Sequence, residues 1–262
     1  MRVDYTPPLP LGRFVRFWYS DAAAARDERV RVLPTGTLSL VVNLDEDEVR
    51  WYPGAAPARC QRTPGAAVGG AYAEHFAIDT REQRQLIGAR FLPGGAGPFF
   101  PVPLDELTGT HVALDLLWGR DGAVLRERIL EAPTVRARLA VLELALLERL
   151  VRPLVRDPAL DHALDALDHS TVAEVVDALG MTAQRFIRRF SASVGLTPKR
   201  HARVRRFQRA LGELDRRDLA ELAVECGYAD QAHFNHEFQA FAGVTPTVYR
   251  AHRRARNQLR MT

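Results

Sequence analysis

A duplicated segment near the C-terminus constrains this chain more than any other feature. "TVAEVVDALGMTAQRFIRRFSASVGLTP" (171–198) is followed by "DLAELAVECGYADQAHFNHEFQAFAGVTP" (218–246). At an offset of 47, Thr171, Ala173, Glu174 and Gly180 pair with Asp218, Ala220, Glu221 and Gly227. After one inserted residue, at an offset of 48, Phe186, Phe190, Gly195, Thr197 and Pro198 pair with Phe234, Phe238, Gly243, Thr245 and Pro246. So many ordered matches, with the insertion at a turn, identify a tandem repeat.

Each copy carries the signals of two short helices. Thr171-x-x-Glu174 is a capping box and Asp218-x-x-Glu221 its Asp variant, suited to the free N–H groups of a helix start. An apolar face follows: Val172, Val175, Val176 and Leu179 in the first copy, Leu219, Leu222, Ala223 and Cys226 in the second. Gly180 and Gly227 supply the left-handed turn that stops the helix. The next helix has its core face at i, i+4, i+8: Phe186, Phe190, Val194, then Phe234, Phe238, Ala242. Gly195 and Gly243 close it, and Thr197-Pro198 and Thr245-Pro246 offer an N-cap and a helix-first proline. Short helix, glycine turn and second helix with a polar outer face make a helix-turn-helix unit, whose second helix enters a major groove.

Opposite Phe186 and Phe190 lie Gln184, Arg185 and Arg188, side chains that pair with adenine and guanine edges. The second copy offers Ala232, His233 and His236, with Asn235 alongside. Between the copies, "PKRHARVRRFQRALGEL" (198–214) reads as one helix. Val204, Phe207 and Leu211 share its apolar face, and Lys199, Arg200, Arg203, Arg205, Arg206 and Arg209 cover the rest. At 1.5 Å per residue it spans roughly 25 Å, a rod able to hold two reading heads about one DNA turn apart. Charge agrees: residues 171–262 hold 16 Lys+Arg against 9 Asp+Glu, while residues 1–170 hold 20 against 23. Basic charge gathered in one third of the chain suits a polyanion, with Lys199, Arg200, Arg203 and Arg206 expected on phosphates.

"LAELAVECGYADQAHFNHEFQAFAGVTPTVYR", with its upstream copy, resembles the DNA-binding domain of AraC/XylS-type transcription regulators over residues 160–250. The resemblance implies base contacts from Gln184, Ile187 and Arg188 in the first reading helix. In the second it implies Ala232, His233 and His236. The partner it implies is double-stranded DNA, with RNA polymerase if the protein activates.

Residues 1 to about 105 read as short β segments split by Gly and Pro, as in a sandwich or barrel. "RVRVLPTGTLSLVVNL" has two runs around Pro34-Thr35-Gly36, and "RQLIGARFLPGG" is another run. After Pro103 the spacing turns helical, and residues 134–150 carry Leu139, Leu142, Leu146 and Leu150 on one stripe. The expected organisation is therefore multidomain: a mainly β domain with flanking helices over 1–151, a Pro-containing linker over 152–159, and an all-α domain over 160–262. The β pieces "VLPTGTLSLVVNL" and "GARFLPGGAGPFFPVPLDEL" resemble the cupin-like sensor half of such regulators. That implies a small-molecule effector; Trp18, Tyr19, Trp51, Tyr72 and Phe91 are the aromatics that could line its pocket. Arg90 and Arg31 are candidate anchors for an acidic effector. It also implies a homodimer through the leucine helix, whose alternative role is to pack on the β domain.

Catalysis finds little support. A metal-dependent cupin enzyme with a DNA-binding appendage is the alternative, but it needs several converging His and a Glu. Residues 1–130 offer only His75 and His111, with Glu74 beside His75; neighbours on a strand face opposite ways. No phosphate loop or nucleophile elbow occurs, and the His233/His236 pair lacks further ligands in register. No cofactor or metal is expected. Cys60 and Cys226 make no metal or disulfide pattern, no apolar run is long enough to span a membrane, and "MRVDYTPPLPLGRF" lacks the apolar h-region of a signal peptide, so a cytoplasmic location is expected. The basic end, residues 250–262, is expected to fray.

Overall fold

In the computed structural model of the chain, the described residues are 1–22, 29–54, 56 and 58–260, with side chains to Arg253. The N-terminal part holds β1 (Arg2–Tyr5), β2 (Val15–Asp21), β3 (Arg29–Val32), β4 (Ser39–Asn43) and β5 (Glu48–Pro53). They are followed by β6 (Gln61–Pro64), β7 (Ala66–Gly69), β8 (Phe76–Asp79), β9 (Gln85–Phe91) and β10 (His111–Ala113). They form two antiparallel sheets, ordered β1-β2-β9-β4-β7-β10 and β3-β8-β5-β6.

Side-chain alternation along the strands decides what each face of the larger sheet does. Phe17, Tyr19, Leu40, Val42, Ile87, Ala89 and Phe91 point to one side and are buried. Helices α1 (Leu114–Trp118), α2 (Arg120–Glu131) and α3 (Val135–Glu148) cover that side, α3 lying on β2 and β9. Leu139, Leu142 and Leu146 are the buried stripe of α3, so the leucine helix packs on the sheet. Leu150 falls beyond the helix and is 37% exposed. The opposite face, with Trp18, Val41, Leu86 and Arg90, looks toward the smaller sheet.

Several details differ from expectation. The two runs around Pro34-Thr35-Gly36 pair with different strands: β3 with β8, and β4 with β7 and β9. The turn therefore crosses between sheets. A strand, β10, occurs after Pro103, too short at three residues to betray a period. Glu74 and His75 lie in the loop before β8, so strand parity does not separate them. Segment 152–159 is stitched to the β domain: Val151 N donates to Pro98 O, Arg152 to Gly97 O and Arg156 to Pro93 O.

The rest is helical: α4 (Pro158–Ala166), α5 (Val172–Ala178), α6 (Ala183–Val194), α7 (Pro198–Glu213), α8 (Leu219–Glu225), α9 (Gln231–Ala242) and α10 (Pro246–Arg260). The basic end expected to fray continues α10 to Arg260; Met261 and Thr262 lie outside the described residues. Thr171 and Glu174 make both bonds of the capping box, whereas Asp218 caps Ala220 N without the reciprocal bond from Glu221. Gly180, Gly195, Gly227 and Gly243 all have φ between +60° and +87°, so each copy stops both helices as its sequence implies. α4, α5 and α6 share a small core of their own, including Val175, Phe186 and Phe190. α7, α8 and α9 join the core that runs through the β domain.

His201 of α7 sits where these cores meet. It is 1% exposed, its ring lies 5.5 Å from that of Phe190, and neither ring nitrogen has a hydrogen-bond partner. Burial, and secondarily Arg205, pushes its pKa down to about 4; burial does the same to His111. A depressed histidine pKa means that the unfolded chain takes up protons first. Folding stability is therefore expected to fall as pH drops from about 6.5 toward about 4. Urea midpoints at pH 7 and pH 5 check this, and His201→Leu should lessen the difference.

Candidate functional site

The outer faces of α6 and α9 are the site predicted from the repeat. Thr182 caps α6 by accepting from Arg185 N, and Asp230 caps α9 by accepting from His233 N. With Phe186, Phe190 and Val194 turned into the core, Gln184, Arg185, Ile187 and Arg188 stand exposed on α6. Ile187 is 41% exposed, an apolar group on an otherwise polar face. On α9, Ala232, His233 and His236 are exposed. The His233 ring meets Tyr228 edge-on, and its Nδ1 accepts from Ala229 N. Asn235 is half-buried, with Oδ1 unpartnered, so it stands less openly than its neighbours.

The arginines of α7 are largely committed within the molecule. Arg205 and Arg209 each lie 2.9 Å from Asp168, just past the end of α4. Arg203 pairs with Glu237 of α9 and lies over the Phe241 ring. Arg206 donates to Gly227 O at 2.9 Å, lies over the Tyr228 ring and has Nε 3.7 Å from Glu237. The Glu237 side chain is only 4% exposed. Ion pairs on different faces of α7 thus tie it to the turn between α4 and α5 and to α9. Lys199 and Arg200 are exposed and have no ion pair among the described residues.

A cleft of about 1110 Å³ opens between the two sheets. Trp18 and Tyr72 line it together with Arg90, Val41, Phe76 and His111. Phe91 does not: one residue from Arg90, it takes the other face of β9 and packs on Phe99 and Phe100. Trp51 is not in the lining either; it packs on the His111 ring at 4.4 Å between centroids. Tyr72 Oη and His111 Nδ1 are 2.8 Å apart. Arg31 is exposed and acts electrostatically on His75. Among the described residues, no three His, Cys, Asp or Glu side chains gather as a metal site, and no helix is long and apolar enough to cross a membrane.

A helix-turn-helix domain family (HTH_18) matches residues 175–252, which contain α6 to α9. Residues 175–252 therefore carry an AraC-type helix-turn-helix domain. A domain of unknown function (DUF6597) matches residues 3–113, which take in β2 to β10 and all of β1 but Arg2. No curated protein matches the chain. Among solved structures, the C-terminal domain of AraT, a response regulator from Geobacillus stearothermophilus, is 21% identical. It covers 36% of this chain and 85% of its own, with a TM-score of 0.34. The DNA-binding domain of AdpA, a global transcriptional factor in complex with a target DNA, is 28% identical, covering 38% and 96%, with a TM-score of 0.36. ToxT from Vibrio cholerae is 9% identical, covering 90% and 96%, with a TM-score of 0.47.

One short segment touches both halves of the chain. Leu33, Pro34, Thr35 and Thr37 line the cleft. From the same turn, Pro34 O accepts from Gln208 Nε2 of α7, and Gly36, at φ +69°, faces Val204. Leu38 lies against Gly195, the C-cap of α6, and Thr108 donates to Gly195 O. His75 wedges against Gly243, the C-cap of α9, where a Cβ would collide with its ring. Sequence reasoning missed Asp168, Glu237 and this segment. Glu237 sits between Phe234 and Phe238 on the buried side of α9, and an acid on an apolar face is the one signal that called for a cation.

Proposed function

We propose that the outer faces of α6 and α9 read adjacent segments of one operator, and that a small molecule in the inter-sheet cleft controls the reading. The observation that carries the first half is the pairing of two exposed polar helix faces at the ends of one rod, α7, which ion pairs hold to Asp168 ahead of α5 and to Glu237 of α9. Rigid joints fix the spacing of the heads before DNA arrives, which lowers the ordering cost of binding. Gln184, Arg185 and Arg188 supply donors for base edges, and Ile187 an apolar contact for a thymine methyl. Ala232, His233, Asn235 and His236 are the weaker set, with no fixed charge.

Control by a ligand is supported by segment 33–38, which lines the cleft on one side and bears on α7 and the α6 cap on the other. A molecule that displaces this turn works against both joints at once. A homodimer is supported by the outer face of α3, where Leu144 and Leu147 are 49% and 40% exposed. Selection of bound sites from random duplexes tests the reading: two short motifs about one turn apart are expected, and a sequence-blind pool would refute it.

Phosphate contact is assigned to Lys199 and Arg200. Of the four residues expected on phosphates, Arg203 and Arg206 are engaged with Glu237. Lys199→Ala and Arg200→Ala should each weaken binding to all duplexes alike and reduce the salt slope by about one phosphate. Titrations at several salt concentrations check this; an unaltered slope would return these residues to plain solvent.

A further inference from the structure

The floor of the cleft is polar along one cross-strand row and apolar along the next. Arg90 of β9, Ser39 of β4, Gly69 of β7 and His111 of β10 are register partners in sequence across the sheet. All four line the cleft. Gly69 leaves a gap: a Cβ there would lie 3.1 Å from His111 Nε2 and 3.3 Å from Ser39 Oγ. Two polar atoms therefore lean over one bare backbone position. Two residues along each strand, Trp18, Gly88, Val41 and Ala67 form the next row. Gly88 lets the Trp18 indole lie close against β9, since a Cβ there would be 2.8 Å from Cζ2. The facing sheet adds Val30, Val32, Phe76 and Ile78.

The charges in this lining are not equivalent. Arg2 is paired with Asp4, and Arg50 with Glu46, Glu48 and Glu82. Arg90 is exposed and has no hydrogen bond or ion pair with any described residue; partial desolvation pushes its pKa down, Arg2 adds to this, and the Asp4 carboxylate opposes it. A guanidinium that lines the cleft with its donors uncommitted offers a fork that a carboxylate meets with two parallel bonds. A second negative charge on the same ligand would find every other lining arginine already neutralised. Resting on the effector reading above, we infer that the cleft takes a small organic monocarboxylate with an apolar body. Its carboxylate lies on Arg90 beside Ser39, and its body lies along Trp18, Val41 and the β3–β8 wall.

The test uses the full chain and three probes, phenylpropanoate, indoleacetate and octanoate, each beside its primary amide. Calorimetric titration and thermal shift are run on the wild type, Arg90→Gln and Arg90→Lys. Acids are expected to bind at least tenfold more tightly than their amides. Arg90→Gln should remove at least tenfold of the acid affinity and leave the amides unchanged, and Arg90→Lys should retain part of it. Both variants should keep the unliganded melting temperature, since Arg90 has no partner to lose. Failure of every acid to bind wild type, amides binding as tightly as acids, or acids binding Arg90→Gln unchanged would each overturn the inference. If amides bind and shift affinity for the selected duplex, effector control stands and only the carboxylate falls. If acids bind through Arg90 and DNA affinity does not move, the carboxylate site stands and effector control falls.

Discussion

Arg188→Ala is expected to weaken binding to the selected operator by about 1–3 kcal/mol while barely changing affinity for random duplexes, because a bidentate base contact carries that much discrimination. The position favours a clean result. Arg188 is exposed on α6, has no ion pair among the described residues, and lies opposite Phe186 and Phe190. Its removal therefore costs the fold little, unlike removal of Arg189, which pairs with Asp157. Competition binding with the selected site and a scrambled site gives the ratio directly. An unchanged ratio would move base reading away from α6. His236→Ala should cost less, because an imidazole on α9 lacks the fixed charge that Arg188 brings to α6, so the two half-motifs should differ in information content.

The repeat was legible because caps and glycines are local. A capping residue, an apolar triplet at helical spacing and a left-handed glycine each act within one turn, so the sequence displays them where they work. Gln184, Ile187 and Arg188 follow from Phe186 and Phe190 by helical parity alone. Partners across the fold are not local. The arginines of α7 were visible as charge, but nothing in the linear chain said that Asp168 lay 37 and 41 residues from Arg205 and Arg209 in position to hold them. The same limit separated Arg90 from Phe91. "QLIGARF" is buried on both sides over Leu86 to Ala89, so the run had no visible parity, and the aromatic looked like the pocket residue when its neighbour was. Trp51 failed as lining for a related reason: an aromatic on a strand between two sheets has two candidate faces, and His111 took one of them.

Phe207→Ala is expected to cost about 3–5 kcal/mol, the range for truncating a buried phenylalanine, and to lower the main unfolding transition. Phe207 is fully buried on α7, its ring 5.1 Å from Phe238 and 5.0 Å from Phe241. The core it belongs to runs without a break from Phe17 and Ile87 in the β domain, through Val204 and Phe207, to Phe234 and Phe238 in the second helix-turn-helix unit. The first unit is different: Phe186 and Phe190 close a separate core with Leu160 and Val175. Loss of Phe190 should therefore loosen α4 to α6 while the main transition stays in place. Calorimetry combined with hydrogen exchange on α6 and α9 separates the cases, since residues that open together share one free energy. If Phe207→Ala released only α8 to α10 and left the β domain's melting unchanged, the shared core would not be cooperative, and a ligand in the cleft would have no rigid path to the second reading head. If the main transition shifts as a whole, any strain placed on the turn at Gly36 is carried by the same packed body that holds α9.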